Sequence, residues 1–428
     1  MKKVLIITYY WPPAGGPGVQ RWLKFVKYLP DFNVEPVLYC PENPSYPIID
    51  ESLMAEIPEN LTVLKQPISE PYGFANFLSG SRAKKISSGV IPNKTNQSFL
   101  QRLMLYIRGN FFIPDARKNW VKPSVAFLSE YILKHQIETI ITTVPPHSLH
   151  LIGLQIKQKL KINWLADFRD PWTTIGYHKK LKLSKSSAKK HRNLESQVLK
   201  SANGIIVTST KTQLEFSKKT SRPIAVITNG YDVNTAPAAK KDGKFSLAHV
   251  GSLLSDRNPQ MLWQAISELL VDNEYFRQNF QLTLAGVVGQ DVLDSISQYG
   301  LNPYLKKLGY LSHDEAIMAQ KSAQVLLLIE IDSEDTKVII PGKLFEYMVS
   351  GSPILAIGPK DSDVETILRE TNTGNYFVYQ QKQEIKDKIL SLFEQFNSDG
   401  IGVNPIGLQK YSRKALTGQL AKTIGDLK

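Results

Sequence analysis

The chain has 428 residues, and its 52 Lys and Arg residues outnumber its 39 Asp and Glu residues, which leaves a formal net charge of +13. This length predicts two or three domains with large cores, and the basic excess favours anionic partners such as phosphorylated ligands or acidic lipid surfaces. The one cysteine, Cys40, excludes a disulfide framework and a cysteine-based zinc site, which is typical of proteins in a reducing cytosol.

The first half of the chain alternates short apolar runs with segments of helical period. The apolar runs are rich in β-branched residues and predict buried strands, and the helical segments predict that this parallel sheet is covered by helices. The predicted strands of this half are residues 3–8, 35–40, 138–143, 163–168, 204–209 and 223–228.

A polar segment with Pro and Gly, at 234–244, is predicted to be a linker. After it the alternation starts again, with predicted strands at 246–251, 281–286, 305–310, 324–330 and 353–358. The fold class predicted from the whole pattern is α/β, with two doubly wound, Rossmann-like parallel-sheet domains and a cleft between them.

Two basic segments interrupt the alternation. The first, within residues 66–133, contains SGSRAKKISSG and a predicted amphipathic helix, which can lie on an anionic membrane or pack on its own domain. The apolar face of this helix holds Phe99, Leu103, Met104 and Ile107, with Arg102 and Arg108 nearby. The second segment, HKKLKLSKSSAKKHRN at 178–193, is either a contact for an acidic surface or a solvated loop.

A glycine-rich stretch, YYWPPAGGPGVQR, follows the first predicted strand. Gly15, Gly16 and Gly18 precede a helix that is predicted to start near Val19. Glycines at such a turn let backbone amides approach a phosphate, which the helix N-terminus also attracts. The prolines and the spacing differ from the dinucleotide-binding fingerprint, and a tight turn without a ligand is the alternative.

The sequence VPPHSLH places a histidine at the carboxyl end of the predicted strand 138–143. His147 would open the next helix, where the charged imidazole is disfavoured, and a neutral ring can hydrogen-bond a sugar hydroxyl or a reacting group. The alternative is a histidine that caps the helix at the surface. His150, one turn later, is predicted to be structural.

The loop LADFRDPW brackets an arginine with two carboxylates directly after an apolar strand. Asp167 and Asp170 could bond substrate hydroxyls, while Arg169 pairs with one of them or with a phosphate. The alternative is a closed ion-pair network that holds the loop. We expect at least one functional residue here, because the carboxyl ends of parallel strands are where such sheets bind ligands.

Two stretches of the second half repeat the theme. HVGSLLSDRNP puts Gly251 after a predicted strand and Arg257 at the start of a helix, an arrangement that suits a diphosphate. In PGKLFEYMVSGSP, Lys343 and Glu346 lie on one helical face. Glu346 can accept both hydroxyls of a ribose, and Lys343 can bind phosphate or pair with Glu346. A surface arginine and a helix-start acid without a ligand are the alternatives.

Taken in order, eight stretches of the sequence resemble glycosyltransferase family 4, of the bacterial polysaccharide type. They are GGPGVQR, PPHS, DFRDPW, TNGYD, GSLLSDRNP, LAGVVG, LGYLSHDEAI and KLFEYMVSGSPILA. The resemblance spans nearly the whole chain and is weakest across 45–100. It implies the GT-B fold of two facing Rossmann-like domains. Residues 1–232 would form the acceptor-side domain and 245–410 the nucleotide-sugar-binding domain, and the helix at 411–428 would pack back on the first.

The resemblance also implies roles for individual residues. The glycine loop would face the donor phosphate and the acceptor, Arg257 would bind the diphosphate, and Glu346 would be the second glutamate of a Glu–seven residues–Glu pattern. The expected donor-binding residues are Gly15, Gly16, Gly18, Gly251, Arg257, Lys343, Leu344 and Glu346. The expected catalytic residues, on the acceptor or sugar side, are His147, Asp167, Arg169 and Asp170.

The chain departs from the family pattern at two positions. Val338 stands where the first glutamate of the pair is usual, and Ser252 stands where an arginine often follows the glycine of the second domain. Handling of the donor sugar is therefore expected to differ. The nearby carboxylates that could substitute are Glu330, Asp332, Glu334 and Asp335.

The function expected from this resemblance is sugar transfer from a nucleotide-sugar to a glycan or lipid-linked acceptor, with retention and without a metal ion or other cofactor. The alternatives are a nucleotide-sugar epimerase or hydrolase on the same fold, or a non-catalytic nucleotide-sugar-binding protein of polysaccharide assembly. No nucleic-acid-reading motif is present. A cytoplasmic protein, in peripheral contact with the anionic inner membrane, is expected, since no apolar run reaches membrane-spanning length.

Overall fold

The computed structural model describes residues 1–70, 99–179, 181–232, 239–398 and 400–427. The chain divides into two compact units. Unit 1 comprises Met1–Asn229 and Arg413–Lys428, and unit 2 comprises Gly230–Ser412. The basic run at 79–89 and residues 234–238 of the predicted linker lie outside the described residues.

Unit 1 contains a parallel sheet of seven strands in the order β3-β2-β1-β4-β5-β6-β7. Its strands are β1 (Lys2–Ile7), β2 (Val34–Pro41), β3 (Thr62–Gln66), β4 (Thr139–Val144), β5 (Asn163–Phe168), β6 (Gly204–Val207) and β7 (Ile224–Val226). Its described helices are α1 (Pro17–Tyr28), α2 (Phe99–Phe111), α3 (Val121–Lys134), α4 (Ser148–Lys159), α5 (Gly176–Lys179), α6 (Lys185–Ser201), α7 (Thr210–Ser217) and the last helix of the chain, Arg413–Gly425.

The central strands of unit 1 are buried on both faces. Successive residues of β1 enter different cores: Leu5 and Ile7 pack in one, and Val4 and Ile6 in the other. This is why the strands read as continuous apolar runs rather than as an alternation of apolar and polar residues.

Unit 2 contains a parallel sheet of six strands in the order β10-β9-β8-β11-β12-β13. Its strands are β8 (Phe245–Val250), β9 (Phe280–Ala285), β10 (Leu305–Gly309), β11 (Val325–Ile329), β12 (Ile354–Gly358) and β13 (Gly374–Val378). Its described helices are α8 (Gln260–Asp272), α9 (Glu274–Asn279), α10 (Gln290–Gln298), α11 (His313–Ser322), α12 (Lys343–Met348), α13 (Asp363–Thr371) and α14 (Lys382–Asn397), so that the last helix of the chain is α15.

Each sheet has a point at which the strand order reverses. In unit 1, β1 lies between β2 and β4, and in unit 2, β8 lies between β9 and β11. The crevice at the carboxyl ends of such strands is the usual ligand site of doubly wound α/β folds. The sequence predicted this α/β fold class correctly.

Two strands were missed by the sequence prediction. Both β3 and β13 are edge strands, and their residues are only partly buried. The sequences of these two strands, TVLKQ and GNYFV, lack the apolar run by which the central strands were recognised. The other two edge strands, β7 and β10, were predicted. Among the described residues, no helix has the length and apolar character that crossing a bilayer requires.

Candidate functional site

The carboxyl end of β8 and the start of α12 form the centre of the candidate site in unit 2. The hydroxyl of Tyr347 accepts a hydrogen bond from the backbone N–H of Val250 at 2.9 Å and donates one to its carbonyl at 3.1 Å. These two bonds hold α12 against the end of β8. As a consequence, Lys343 points at Gly251: a Cβ atom added to this glycine would lie 2.5 Å from Nζ. Gly251 also has φ +119°, which favours glycine.

A buried histidine orients Lys343. Nδ1 of His249 lies 3.0 Å from the carbonyl oxygen of Leu327, and Nε2 lies 3.2 Å from Nζ of Lys343. Since a carbonyl only accepts, Nδ1 carries the proton, and the ammonium donates to Nε2. Burial first, and then the charge of Lys343, lower the pKa of His249 well below its ordinary value. The imidazole is therefore neutral and acts as an acceptor.

Two cations of this site repel one another. Burial, and then the charge of Arg257, lower the pKa of Lys343 to about 7, although Glu346 opposes the shift. Arg257 is half-buried, and its Nε has no hydrogen-bond partner among the described residues. The carboxylates of the free protein thus leave the Lys343 ammonium under-stabilised, and a bound anion would supply what is lacking.

Arg257 occupies a different local structure from the one expected. It ends a short 3-10 turn, Ser255–Arg257, and α8 begins three residues later at Gln260. Pro259 precedes that helix. The arginine is therefore held by the loop that follows β8 and not by the first turn of the helix.

Glu346 lies one turn into α12 and is half-buried. Its Oε2 accepts a hydrogen bond of 3.1 Å from Nε2 of Gln320 in α11. This bond fixes the carboxylate and leaves Oε1 without a hydrogen-bond partner among the described residues. Leu344 has no accessible side chain, and its backbone N–H donates to the carbonyl of Pro341. The side chain of Leu344 is thus engaged in packing, and its role in donor binding stays a prediction.

Glu330, one of the carboxylates near the unusual Val338, points into the protein. It accepts hydrogen bonds from Tyr376 at 2.7 Å and from Ser362 at 3.1 Å. Burial raises the pKa of Glu330 to about 7 against the effect of these bonds. Both oxygens are occupied, so this carboxylate is poorly placed to replace the missing glutamate. Asp332, two residues later, is exposed.

A cavity of 460 Å³ opens at the same edge of the sheet, where β9 and β10 end. Gly286 joins it to the Gly251 loop, because a Cβ at Gly286 would lie 2.8 Å from the backbone of Gly251. Two apolar side chains beside the cavity residues are exposed, Val287 at 58% and Tyr310 at 85%. The lining residues are Leu284, Gly286, Val288, Leu293, Lys307, Leu308 and Gly309.

In unit 1, the predicted glycine loop and the predicted arginine come together. Gly16 precedes α1 with φ +104°, and the guanidinium of Arg169 lies against Gly18, where a Cβ would overlap it. Nε of Arg169 donates to the carbonyl of Val144 at 2.9 Å. No carboxylate of the described residues lies within ion-pair distance of this guanidinium, so its charge faces the start of α1.

Asp167 belongs to a closed network instead. It is fully buried and accepts hydrogen bonds from Trp22 at 2.9 Å and Thr143 at 2.8 Å, while Arg21 pairs with it at 3.3 Å. Both oxygens are engaged, which favours the structural alternative for this residue over a contact with substrate. Arg21, also buried, was missed by the sequence reasoning, since nothing local marks its partner.

His147 lies at the N-terminal boundary of α4, with its ring stacked on Trp172 at a centroid distance of 4.7 Å. Burial, and then the neighbouring His150, lower its pKa well below the ordinary value, so the imidazole is neutral. Burial likewise raises the pKa of Asp170, against the effect of Arg169. His150 is fully buried, and its Nδ1 lies 2.7 Å from Oγ1 of Thr142, as its predicted structural role requires.

Asp115, which the sequence reasoning also missed, holds the start of α4. It accepts hydrogen bonds from the backbone N–H and the hydroxyl of Ser148, at 2.8 and 2.9 Å. Asp115 and Ser148 are 33 residues apart, so the local sequence at the start of α4 does not indicate this cap. Within the described ranges, no cluster of three or more His, Cys, Asp or Glu side chains is arranged to hold a metal ion.

No protein-family model matches the sequence, and no curated protein matches it. Solved structures do match, over the whole chain. A glycosyltransferase from Rickettsia africae ESF-5 has a TM-score of 0.60 and 11% identity, covering 100% of this chain and 99% of that chain. Anabaena Alr3699/HepE, in complex with UDP-glucose, has a TM-score of 0.53 and 14% identity, covering 100% and 96%.

A third similar structure is a putative UDP-N-acetylglucosamine 2-epimerase from Listeria monocytogenes, with a TM-score of 0.53 and 11% identity, covering 99% of this chain and 96% of that chain. At such low identities the likeness is evidence for the fold alone. With its two parallel α/β sheets, this chain has the GT-B fold that these structures share.

Proposed function

We propose that the protein is a glycosyltransferase that moves a sugar from a nucleoside diphosphate sugar to a glycan or lipid-linked acceptor, with retention and without a metal ion. The observation that carries the proposal is the desolvated ammonium of Lys343, which lies against Gly251 in unit 2 and is repelled by Arg257. The fold neighbour that holds UDP-glucose supports the choice of donor class.

The diphosphate of the donor would bind to this cation pair. Lys343, already directed at Gly251, supplies one charge, and Arg257 supplies a planar fork of donors that suits phosphate oxygens. When the bond between the sugar and the diphosphate breaks, negative charge grows on the leaving phosphate. Cations fixed in advance stabilise that charge more than they stabilise the intact donor, and this difference is what accelerates the reaction.

The nucleoside would extend from the diphosphate along the same edge of the sheet. The free oxygen of Glu346 is available for a ribose hydroxyl, and the cavity at Gly286 would take the base. Val287 and Tyr310, exposed in the free protein, would cover the base on its apolar faces. Lys307 lines the cavity and can only donate, which favours a keto base over an amino base.

Residues of unit 1 would serve the acceptor and the transferred sugar. Neutral His147 can accept a hydrogen bond from a sugar hydroxyl or donate one to it. Arg169 and Asp170 lie at the same carboxyl edge of the unit 1 sheet. In the proposed step the acceptor oxygen bonds to the anomeric carbon on the face from which the diphosphate leaves. The acceptor proton passes to the leaving phosphate oxygen, so no protein nucleophile is needed.

Calorimetric titration with UDP, GDP, ADP and CDP tests the donor site. We expect binding of a keto-base nucleotide, and a loss of roughly tenfold to a hundredfold in affinity for Arg257→Met, since a charge-assisted hydrogen bond contributes about 1.5–3 kcal/mol. Arg277→Met, which removes an exposed arginine of the same unit, is the matched control. Failure of all four nucleotides to bind would remove the proposal.

An epimerase is the second candidate function. The Listeria neighbour and the absence of a glutamate at Val338 both favour testing it. Product analysis by NMR separates the two reactions. An epimerase converts the nucleotide-sugar without an acceptor, whereas a transferase releases nucleoside diphosphate only as an acceptor is glycosylated. Binding without turnover across acceptors would instead indicate a non-catalytic binding protein.

A further inference from the structure

Helix α2 of unit 1 presents an exposed apolar face. Its side chains recur at helical spacing, and a helix of a globular protein normally turns such a face inward. The four residues, which we call the apolar stripe, are Leu103 (43% exposed), Tyr106 (43%), Ile107 (40%) and Phe111 (63%). The opposite side of α2 is buried through Leu105 and Gly109. The helix therefore packs on its own unit, and the described residues leave a second apolar face of it uncovered.

The second basic segment lies directly beside this helix. Nδ2 of Asn110 donates to the carbonyl of Lys182 at 3.1 Å, and the N–H of Ser184 donates to Oδ1 of Asn110 at 2.8 Å. Gly109 packs so closely that an added Cβ would lie 2.7 Å from Leu183. Two segments that are distant in sequence thus form one surface.

The segment that adjoins α2 carries exposed cations, which we call the basic flank: Lys182, Lys185, Lys189 and Arg192. Most of it is not a loop, because α6 begins at Lys185. The acid of α6, Glu195, is buried and bonded to Thr173. The sequences 71–114 and 178–193 contain no Asp or Glu. The surface thus combines apolar side chains with positive charge, and neither of the two stretches of sequence that form it supplies an acid.

We propose that the apolar stripe and the basic flank dock unit 1 on an anionic lipid bilayer. An amphipathic helix lies in the bilayer interface with its apolar face among the acyl chains, while neighbouring lysines attract acidic headgroups. Neither contribution alone binds a membrane firmly, and here the fold places both on one surface. The inference is independent of the proposed sugar transfer, because it concerns binding of the protein to lipid.

Charge favours an anionic bilayer over two other possible partners of this surface, a second copy of the chain and residues 71–98 of the same chain. In a symmetric contact between two copies of the chain, the same patch meets itself, so the basic flanks would repel one another. Residues 71–98 of this chain have four basic and no acidic residues, namely Arg82, Lys84, Lys85 and Lys94, so they do not complement the basic flank either. An anionic bilayer offers acyl chains to the apolar stripe and acidic headgroups to the basic flank.

Co-sedimentation of the full chain with vesicles tests the proposal. We expect binding to vesicles that contain phosphatidylglycerol, little binding to pure phosphatidylcholine, and loss of binding at high salt. The variant Ile107→Ser/Phe111→Ser and the variant Lys185→Glu/Lys189→Glu should each bind at least about tenfold more weakly. All four side chains are exposed, so circular dichroism should show an unchanged fold.

Matched control variants make the same kinds of substitution elsewhere on the surface of the chain. Leu133→Ser/Val271→Ser removes two exposed apolar side chains, and Lys159→Glu/Lys161→Glu makes the same change in net charge as the lysine variant. Both should bind vesicles as the unaltered protein does. Equal loss in the controls, or equal binding to both kinds of vesicle, would overturn the proposal.

A site-specific probe separates lipid from a second copy of the chain. Because Cys40 is buried, an environment-sensitive dye can be attached selectively to Ile107→Cys, with Val271→Cys as the control. A blue shift of the Ile107→Cys dye with anionic vesicles alone supports the proposal. A shift that follows protein concentration without lipid, together with a dimer by light scattering, would assign the surface to self-association instead. A shift with RNA and none with vesicles would likewise overturn it.

Discussion

Lys343 is a lysine whose environment disfavours its own charge. Its ammonium is desolvated, faces Arg257 and has a neutral imidazole as its hydrogen-bond acceptor. A residue arranged in this way lowers the stability of the free protein and becomes useful when an anion arrives. Desolvated charges with a shifted pKa are typical of functional sites for this reason.

Replacement of Lys343 by methionine should separate function from stability. We expect Lys343→Met to weaken nucleoside diphosphate binding by at least about tenfold, through loss of a charge-assisted bond, with a thermal midpoint no lower than that of the unaltered protein. Titration calorimetry and thermal unfolding measure the two quantities. Lys388→Met, at a second lysine of unit 2 whose pKa burial lowers, is the control and should leave binding unchanged. A Lys343→Met protein that binds normally would contradict the assignment.

The pH dependence of nucleotide binding follows from the same residue. Burial and Arg257 lower the pKa of Lys343 to about 7 in the free protein, whereas a bound diphosphate favours the ammonium form. Binding above this pKa must therefore take up a proton, and affinity should fall by up to about tenfold per pH unit between about pH 7.5 and 9. In that range the phosphates are already ionised, so the ligand adds no opposing trend.

Calorimetry in buffers of different ionisation enthalpy measures this proton uptake. In the Lys343→Met variant, nucleotide binding should take up no proton at residue 343. Glu330, with a pKa raised to about 7 by burial, adds negative charge near Arg257 as pH rises through neutrality and so acts in the same direction. Glu330→Gln should therefore reduce the pH dependence just above neutrality without abolishing it. An affinity that rises between pH 7.5 and 9 would contradict this account.

At the scale of elements, short contacts between loops hold the candidate sites together. In unit 2, Gly286 meets Gly251, so the loops after β8 and β9 approach at backbone distance. In unit 1, α1 begins under the guanidinium of Arg169, which the strand β4 holds through Val144. The glycines are needed at these points because a side chain would occupy the space of the neighbouring element.

Gly18→Ala should displace Arg169 while leaving the fold intact. The new methyl group would overlap the far end of a flexible side chain, which can rotate away at little cost. We expect sugar transfer to fall by roughly tenfold or more, an effect of the size that one misplaced charged group produces, with nucleoside diphosphate binding and the thermal midpoint almost unchanged.

The measurements for this variant are transfer kinetics, nucleotide titration and thermal unfolding. Gly243→Ala is the matched control, because nothing lies within 4 Å of an added Cβ at that position. Unaltered transfer by Gly18→Ala would show that the position of Arg169 does not matter for the reaction. A large drop in thermal midpoint would show that the contact is structural.

At the scale of the whole molecule, the proposed chemistry would be divided between the two parallel sheets. Unit 2 holds the cation pair, Glu346 and the cavity, and unit 1 holds His147, Arg169 and Asp170, each set at the carboxyl edge of its own sheet. The last helix, α15, belongs to unit 1, so the chain returns to its first unit after completing the second.

Hydrogen exchange on the full chain should locate the donor. A saturating nucleoside diphosphate is expected to slow amide exchange chiefly in unit 2, because bound phosphate and base order the loops that they contact. The segments expected to be protected are 249–257, 284–290, 305–311 and 341–348. Protection confined to residues 14–20 of unit 1 would contradict the donor site described above. The same measurement with a nucleoside that lacks phosphate is the control.

The sequence alone determined the central strands and the residues at their carboxyl ends. Strands such as β4 and β11 are buried on both faces, so their apolar runs are local signals that need no knowledge of neighbours. Gly251 and Arg169 were found for a related reason, since each directly follows such a run. Lys343 was found instead from its spacing to Glu346, which places both on one helical face. The edge strands β3 and β13 lack this signal and were missed.

Only the tertiary structure decided what these side chains do to one another. Asp167 meets Trp22, 145 residues away, and Lys343 meets His249, 94 residues away. Those encounters depend on the order and register of parallel strands, which helices connect over long stretches of chain, so no local pattern records them. Burial therefore assigned Asp167, Leu344 and Glu330 to the interior, and it left Lys343, which Arg257 repels, as the under-stabilised cation that points to an anionic ligand.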